Sequence, residues 1–382
     1  MDFSWSDEQR AVKAGMVDFA RQHLNEGIVE RERQGVFARE LWDCCAGFGI
    51  QGMSVPSAYN KGRDTDFMTA MLAMEGMGYG CRDNGLTFAL NAQMWTVQLP
   101  ILHFGTEQQK QRYLPGMCSG RLIGAHAVTE PDSGSDAFSM QMTATRQADG
   151  YLLNGTKCFV SLAPIADVAL VFATIDPALG KWGISAFLVD RDTPGFRAGP
   201  VREKMGLRTV PMGDLVFEDC LVPAENRLGA EGAGVGMSTS SLEWERCCIL
   251  ASQLGAMERQ LEEAVGFARE RRQFGKTIGR FQSVSNRIVD MKLRLETSRL
   301  LLYKTAWLKM NDLPATTETA MLKLHLGECF VESSLDAIKI HGARGYVSEY
   351  GIERDLRDAV GGTIYAGTSD IQRNIVAGLM GL

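Results

Sequence analysis

Leu122-Ile123-Gly124-Ala125-His126-Ala127-Val128 runs directly into Thr129-Glu130-Pro131-Asp132-Ser133-Gly134-Ser135-Asp136. The first half reads as a short apolar strand. The second half is made of small, hydroxylated and turn-forming residues, whose backbone can approach a ligand closely and whose hydroxyls and amides can bond a polar heteroaromatic edge. A plain surface turn between two strands is the competing reading. Beyond this point short branched and aromatic runs recur at Tyr151 to Asn154, Val168 to Thr174, Ile184 to Val189 and Leu215 to Phe217. Asp149-Gly150 and Thr193-Pro194-Gly195 separate them, which predicts a compact antiparallel unit. Upstream the pattern is helical: Ser6 and Gln9 form a capping box ahead of Val12, Met16 and Phe19. Thr106 is a second expected cap, for a helix that Pro115 should end. From Met237 onward helical periods return. The expected class is mainly α with a middle β domain: helices over 1–121, β structure over 122–232, and a helical bundle over 233–382.

Of the 382 residues, 45% are apolar and 23% charged, with a formal charge of -6. That balance lacks the basic footprint of a dedicated nucleic-acid binder. No run approaches the length of a membrane span, and Met1 to Asp7 has neither region of a signal peptide. Nine Cys without a C-x-x-C pair fit neither a zinc site nor a disulfide framework. The five His are scattered, so no metal is expected, and the reading is a reduced, cytoplasmic protein.

Several segments carry candidate chemistry. In Lys157-Cys158-Phe159-Val160-Ser161 an aromatic lies two residues from a hydroxyl, a pattern able to stack on a planar cofactor and bond its edge. A buried core Phe is the alternative. Gly229, Gly232, Gly234 and Gly236 fail the dinucleotide spacing because Met237 takes the third glycine position, so they read as a mobile connection. Arg269, Arg271, Arg272, Lys276 and Arg280 form the densest basic run, suited to phosphate or to a solvated helix end. Tyr365-Ala366-Gly367-Thr368-Ser369-Asp370 opens a helix whose free amides can bind an anion. In Leu242-Glu243-Trp244-Glu245-Arg246 the two carboxylates fall on different sides of a helix. One of them facing an apolar cleft would make a base with a raised pKa.

Together these segments resemble the acyl-CoA dehydrogenase flavoprotein family over nearly the whole chain. The resemblance also rests on Phe104-Gly105-Thr106-Glu107-Gln108-Gln109-Lys110, Lys204-Met205-Gly206-Leu207-Arg208-Thr209, and Arg271-Arg272-Gln273-Phe274-Gly275-Lys276 with Phe281-Gln282. It implies an N-terminal helical domain, a middle β domain, a C-terminal four-helix bundle, FAD as cofactor and a homotetramer. Cofactor contacts carried over by position are His126, Val128, Thr129, Gly134, Ser135, Phe159, Ser161, Lys339, Gly342, Thr368 and Asp370. Arg271, Phe274 and Gln282 resemble residues that reach the FAD of a neighbouring subunit. Most members place the base immediately before the Gly-Thr of the C-terminal motif, where this chain has Ala366. In the isovaleryl-CoA dehydrogenase branch the base precedes an Arg on a bundle helix, as Glu245 precedes Arg246. Gln93, Glu243, Trp244, Arg246, Tyr365 and Gly367 are the implied substrate contacts. A narrower likeness, in Trp244-Glu245-Arg246, Met257 to Glu262 and Ala163 to Asp167, is to dehydrogenases of prolyl groups tethered to carrier proteins. Free short or branched acyl-CoA thioesters are the alternative substrate. Flavin oxygenation and a DNA-binding relative are remoter alternatives.

Overall fold

The computed structural model describes residues 4–60 and 64–382. Met1–Phe3, part of the stretch read for a signal peptide, lies outside the described residues. Ser6 opens α1 (Asp7–His23) with the expected capping box: its hydroxyl accepts from Gln9 N, and the Gln9 side chain accepts from Ser6 N. Helices α2 (Ile28–Gln34) and α3 (Arg39–Phe48) follow, then α4 (Phe67–Gly80), which is buried almost all round. A helix apolar on every side belongs inside a core, and α4 packs on both α1 and the later α8. Next come α5 (Asn84–Gln93) and α6 (Leu99–Phe104), joined by one π-helical turn, and α7 (Glu107–Cys118). Thr106 caps α7 as expected, but Pro115 does not end it. Burial of Leu114, Met117 and Cys118 outweighs the single hydrogen bond that proline removes.

The middle of the chain forms β1 (Gly124–Ala127), β2 (Thr143–Gln147), β3 (Gly150–Ser161), β4 (Val168–Thr174), β5 (Ile184–Asp190), β6 (Phe196–Ala198), β7 (Met212–Pro223) and β8 (Arg227–Leu228). They make one eight-stranded sheet in the order β6-β7-β3-β2-β4-β5-β8, with β1 paired to β4. The sheet is mixed, which corrects the antiparallel expectation. β1 runs parallel to β4, and β2 meets β4 in parallel at Thr143 and Thr174. A parallel pair needs a long crossover, and the 128–142 loop belongs to one. Alternation along β4 divides its side chains: Ala169, Val171 and Ala173 enter the sheet's own core, while Val168, Leu170 and Phe172 pack toward Val97, Ile101 and Leu114 of the N-terminal helices.

The glycine-rich connection is held in place. Gly232 N donates to Ser185 Oγ, and a Cβ on Gly234 would meet the Ile184 carbonyl at 2.7 Å. It leads into α8 (Gly234–Glu270), a helix of 37 residues. A hairpin of β9 (Arg272–Gln273) and β10 (Lys276–Thr277) links α8 to α9 (Gln282–Met310). Then come α10 (Thr316–His341), α11 (Ala343–Tyr346), α12 (Ile352–Gly361) and α13 (Ser369–Leu379). Helices α8, α9 and α10 pack on one another, and their core is continuous with that of α1 and α4. No helix among the described residues is long and apolar enough to cross a membrane.

Candidate active site

At the sheet, the loop after β1 is folded back onto a wholly buried lysine. Lys157 Nζ donates to Glu130 Oε1 at 2.7 Å and to the Val128 carbonyl at 2.9 Å. The Glu130 carboxylate also accepts from Gln141 N and Met142 N, and Thr129 O accepts from Cys158 N. Burial pushes the Lys157 ammonium down to about 8, against the opposing pull of Glu130. Sequence reasoning missed this pair; Glu130 was one polar residue in a polar loop. The pair fixes the backbone of Val128 and Thr129, and beside them His126 keeps a buried Nε2 that has no partner among the described residues. Burial and the Lys157 charge lower the His126 pKa to about 4, so its ring is neutral.

Phe159 settles the choice left open in the sequence: it is 57% exposed, not core. A bulge between Lys157 and Val160 puts it at φ 56, where a bulky residue is strained, and the Arg202 guanidinium lies 5.3 Å from its ring. Ser161, two residues on, is half-buried. Gly134 has open space around it and Ser135 is exposed. An exposed ring, a pinned loop with free hydroxyls and an orphaned imidazole nitrogen together fit a planar cofactor with a phosphate tail.

The second group forms where α8 meets the turn before α13. Arg246 Nε donates to the Ala366 carbonyl at 2.8 Å, and the buried Gln372 amide donates to the carbonyls of Ala366 and Gly367. These bonds hold two successive left-handed residues, Ala366 at φ 54 and Gly367 at φ 89. Glycine takes that conformation freely, whereas alanine does so at a cost of about 1 kcal/mol. Among the described residues the Ala366 N–H has no acceptor. Thr368 caps α13 through Ile371 N, and Asp370 is exposed and bonded to Arg373. Tyr365 accepts from Gln253 Nε2 and packs its ring 4.9 Å from Phe88.

Glu245, on the same stretch of α8 as Arg246, is 9% exposed, and no donor among the described residues reaches its carboxylate. Burial raises its pKa to about 7, while Arg246 and Lys323 pull it down. Two turns along α8 a small cavity of about 10 Å³, room for about one water, is lined by Asn84, Thr87, Phe88, Gln253, Asp358 and Tyr365 among others. Asp358 is buried there, its pKa raised to about 7 by desolvation.

Two expected substrate contacts lie elsewhere. Gln93 is fully buried, with Oε1 accepting from Gly124 N at 2.8 Å and Nε2 donating to the Met117 carbonyl. Its amide joins α5, α7 and β1, which leaves nothing for a substrate. Glu243 accepts from Thr316 Oγ1 at 2.6 Å and pairs with Lys309 at 3.5 Å, so it ties α8 to neighbouring helices. Trp244 packs edge-on against Phe67 with Lys309 over its ring.

The third group stands at the end of the bundle. Arg271 closes α8, Phe274 at the hairpin tip is 93% exposed, and Gln282 opens α9. Nearby on α10, Lys339 lies 3.9 Å from Asp336 and Gly342 caps the helix at φ 60. The Phe267 ring stacks on His341 at 4.5 Å and joins the ends of α8 and α10.

Three family models cover this architecture in order: the acyl-CoA dehydrogenase N-terminal domain over residues 6–121, the middle domain over 125–220 and the C-terminal domain over 232–380. The chain belongs to the acyl-CoA dehydrogenase family. It is 42% identical over 378 residues to an L-prolyl-[peptidyl-carrier protein] dehydrogenase of Pseudomonas fluorescens, covering 99% of both chains. The prolyl acyl carrier protein oxidase AnaB superposes with a TM-score of 0.98 at 45% identity, over 99% of this chain and all of the other. PigA with FAD and proline superposes at 0.97 and 40% identity over the full length of both. As an acyl-CoA dehydrogenase of this kind, the chain is an FAD-dependent acyl thioester dehydrogenase.

Proposed function

We propose that the enzyme oxidises the Cα–Cβ bond of a short amino-acyl group, prolyl or close to it, carried on the phosphopantetheine of a carrier protein. The observation that carries the chemistry is Glu245: a buried carboxylate with no bonded donor, beside a turn whose usual carboxylate is replaced by Ala366. Glu245 removes the α-proton. The free Ala366 N–H is aimed at the thioester oxygen, where it stabilises enolate charge. FAD, when bound, accepts the hydride that leaves Cβ. His126, Val128, Thr129, Phe159 and Ser161 hold the ring, Gly134 and Ser135 the phosphates. Arg271, Phe274 and Gln282 serve a neighbouring subunit's FAD, Lys339 and Gly342 lie at a pyrophosphate, and Thr368 and Asp370 lie beside the pyrophosphate and adenine end. Trp244, Arg246, Tyr365 and Gly367 shape the acyl cleft.

The prolyl reading is supported by the prolyl-carrier-protein dehydrogenases among the relatives. Short acyl-CoA thioesters are the second reading, supported by the short-chain acyl-CoA dehydrogenases among the relatives. Exposed Val289, Leu293 and Leu300 line one face of α9, and exposed Phe274 extends from the hairpin, which supports a homotetramer. Nine free cysteines, eight of them buried, suit the reducing cytoplasm.

Incubating the holoenzyme with one panel of acyl groups on carrier protein and on CoA, then weighing the intact products, tests the proposal. Loss of one or two hydrogen pairs from prolyl-carrier protein is the expected result. Turnover confined to CoA thioesters would overturn the carrier assignment.

A further inference from the structure

Along α10 the buried positions Thr319, Ala320, Leu322, Leu326, Gly327 and Phe330 recur at helical spacing, and the pattern calls for an apolar residue at 323. The chain has Lys323 there. It is 1% exposed, and among the described residues its Nζ has no hydrogen-bond partner. Burying an ammonium without an acceptor costs several kcal/mol, and apolar packing alone would favour methionine. One turn further on, Gly327 touches the Gly362 carbonyl, which a Cβ would meet at 2.9 Å. α10 therefore passes directly against the segment that leads to Tyr365 and Ala366, and it packs along α8 as well.

Lys323 sits at this junction of α8, α10 and the 362–367 turn. The charged groups acting on it are Arg246, Glu245 and Glu328. Arg246 is already committed to the Ala366 carbonyl, and Glu328 to Arg373. Of the two carboxylates, Glu245 is the one with no bonded cation among the described residues. Around Glu245 the titratable groups are Arg246 and Cys248 on its own helix, Tyr365 on the turn and Lys323 on α10. Both cations favour its carboxylate form.

We propose that Lys323 is a positioning residue for the reaction, a buried cation that keeps Glu245 ionised in the acyl cleft without touching substrate. This rests on Glu245 being the base. Burial lowers the lysine and raises the carboxyl, and their mutual attraction opposes both shifts by favouring the ammonium and the carboxylate together. A base works only when deprotonated, so flavin reduction should rise with pH through the Glu245 titration. Removing the cation moves that rise to higher pH.

The test is rapid-mixing flavin reduction by prolyl-carrier protein as a function of pH, in wild-type, Lys323→Met and Lys323→Arg holoenzyme. Lys323→Met should shift the acid limb upward by about one pH unit, a roughly tenfold loss of rate at pH 6, with a smaller loss above pH 8. Lys323→Arg should keep the limb in place. If Lys323→Met does not yield folded holoenzyme, Lys323→Gln is read in the same way. An unmoved limb in the folded neutral variant overturns the proposal, and so does failure of both neutral variants to fold while Lys323→Arg folds, which makes the lysine structural. Near-normal flavin reduction in Glu245→Gln would instead remove the base assignment itself, so the two failures are distinct.

Discussion

Glu245 illustrates how a residue's role and its cost have the same origin. Desolvation raises its folded pKa to about 7 from the ordinary 4.5. Below the lower value the carboxyl is protonated in both folded and unfolded chains and nothing is lost. Between the two values the unfolded chain ionises while the folded carboxyl stays protonated, so stability falls as pH rises from about 4.5 to about 7, and above that the loss is complete. Glu245→Gln removes both the base and that penalty. At pH 8 flavin reduction should fall at least about 10²-fold, while the melting temperature rises, with a ceiling of about 3 kcal/mol from the shift. Glu243→Gln, which breaks bonds to Lys309 and Thr316 instead, should leave the chemical step close to wild type. Rapid-mixing absorbance and calorimetry read both effects. Near-normal reduction in Glu245→Gln would move the base elsewhere.

The loop after β1 depends on one buried ion pair between elements. Lys157→Met leaves the Glu130 carboxylate buried without its cation, a loss of about 3–5 kcal/mol, and frees the loop that positions Val128 and Thr129. A lower unfolding midpoint together with loss of bound flavin is expected. Adding Glu130→Gln should recover much of the stability, because the uncompensated charge is then gone. No recovery in the double variant would show that the pair is not the source. The hairpin between α8 and α9 makes a separate case. Arg271→Ala removes a charge-assisted phosphate contact worth about 1.5–3 kcal/mol, so FAD affinity should weaken roughly ten- to a hundredfold. Unchanged affinity in equilibrium dialysis would leave the arginine a surface group.

Across the whole molecule, a net charge of -6 coexists with exposed Arg269, Arg272 and Arg280 around the hairpin. If the acyl group arrives on an acidic carrier protein, as proposed, these arginines offer it a surface of opposite charge. Complementary charge acts chiefly on the association rate and is screened beyond about 8–10 Å at physiological salt. Added salt should therefore slow turnover at low carrier concentration far more than at saturation. Salt-independent kinetics would place docking on another face. Light scattering of the holoenzyme checks the assembly that the α9 stripe supports; a monomer would leave Arg271 and Phe274 without the neighbouring cofactor.

Local signals were legible in the sequence wherever one segment's own chemistry decides its conformation. The caps at Ser6 and Thr106 needed only a hydroxyl and the amide three residues on. The order of helices, sheet and helices followed from periodicity, and the different sides taken by Glu243 and Glu245 from the 100° step of a helix. What the sequence did not disclose depends on partners distant along the chain. Gln93 looked available until Gly124 and Met117 took up its amide, and Pro115 looked like a stop until the core around Met117 held the last turn. The parallel pairing of β1 with β4, the Lys157–Glu130 pair, the left-handed Ala366 and the solitary ammonium of Lys323 arise only when separate elements close over one another. Burial and dielectric are properties of the assembled packing, and no single segment of sequence carries them.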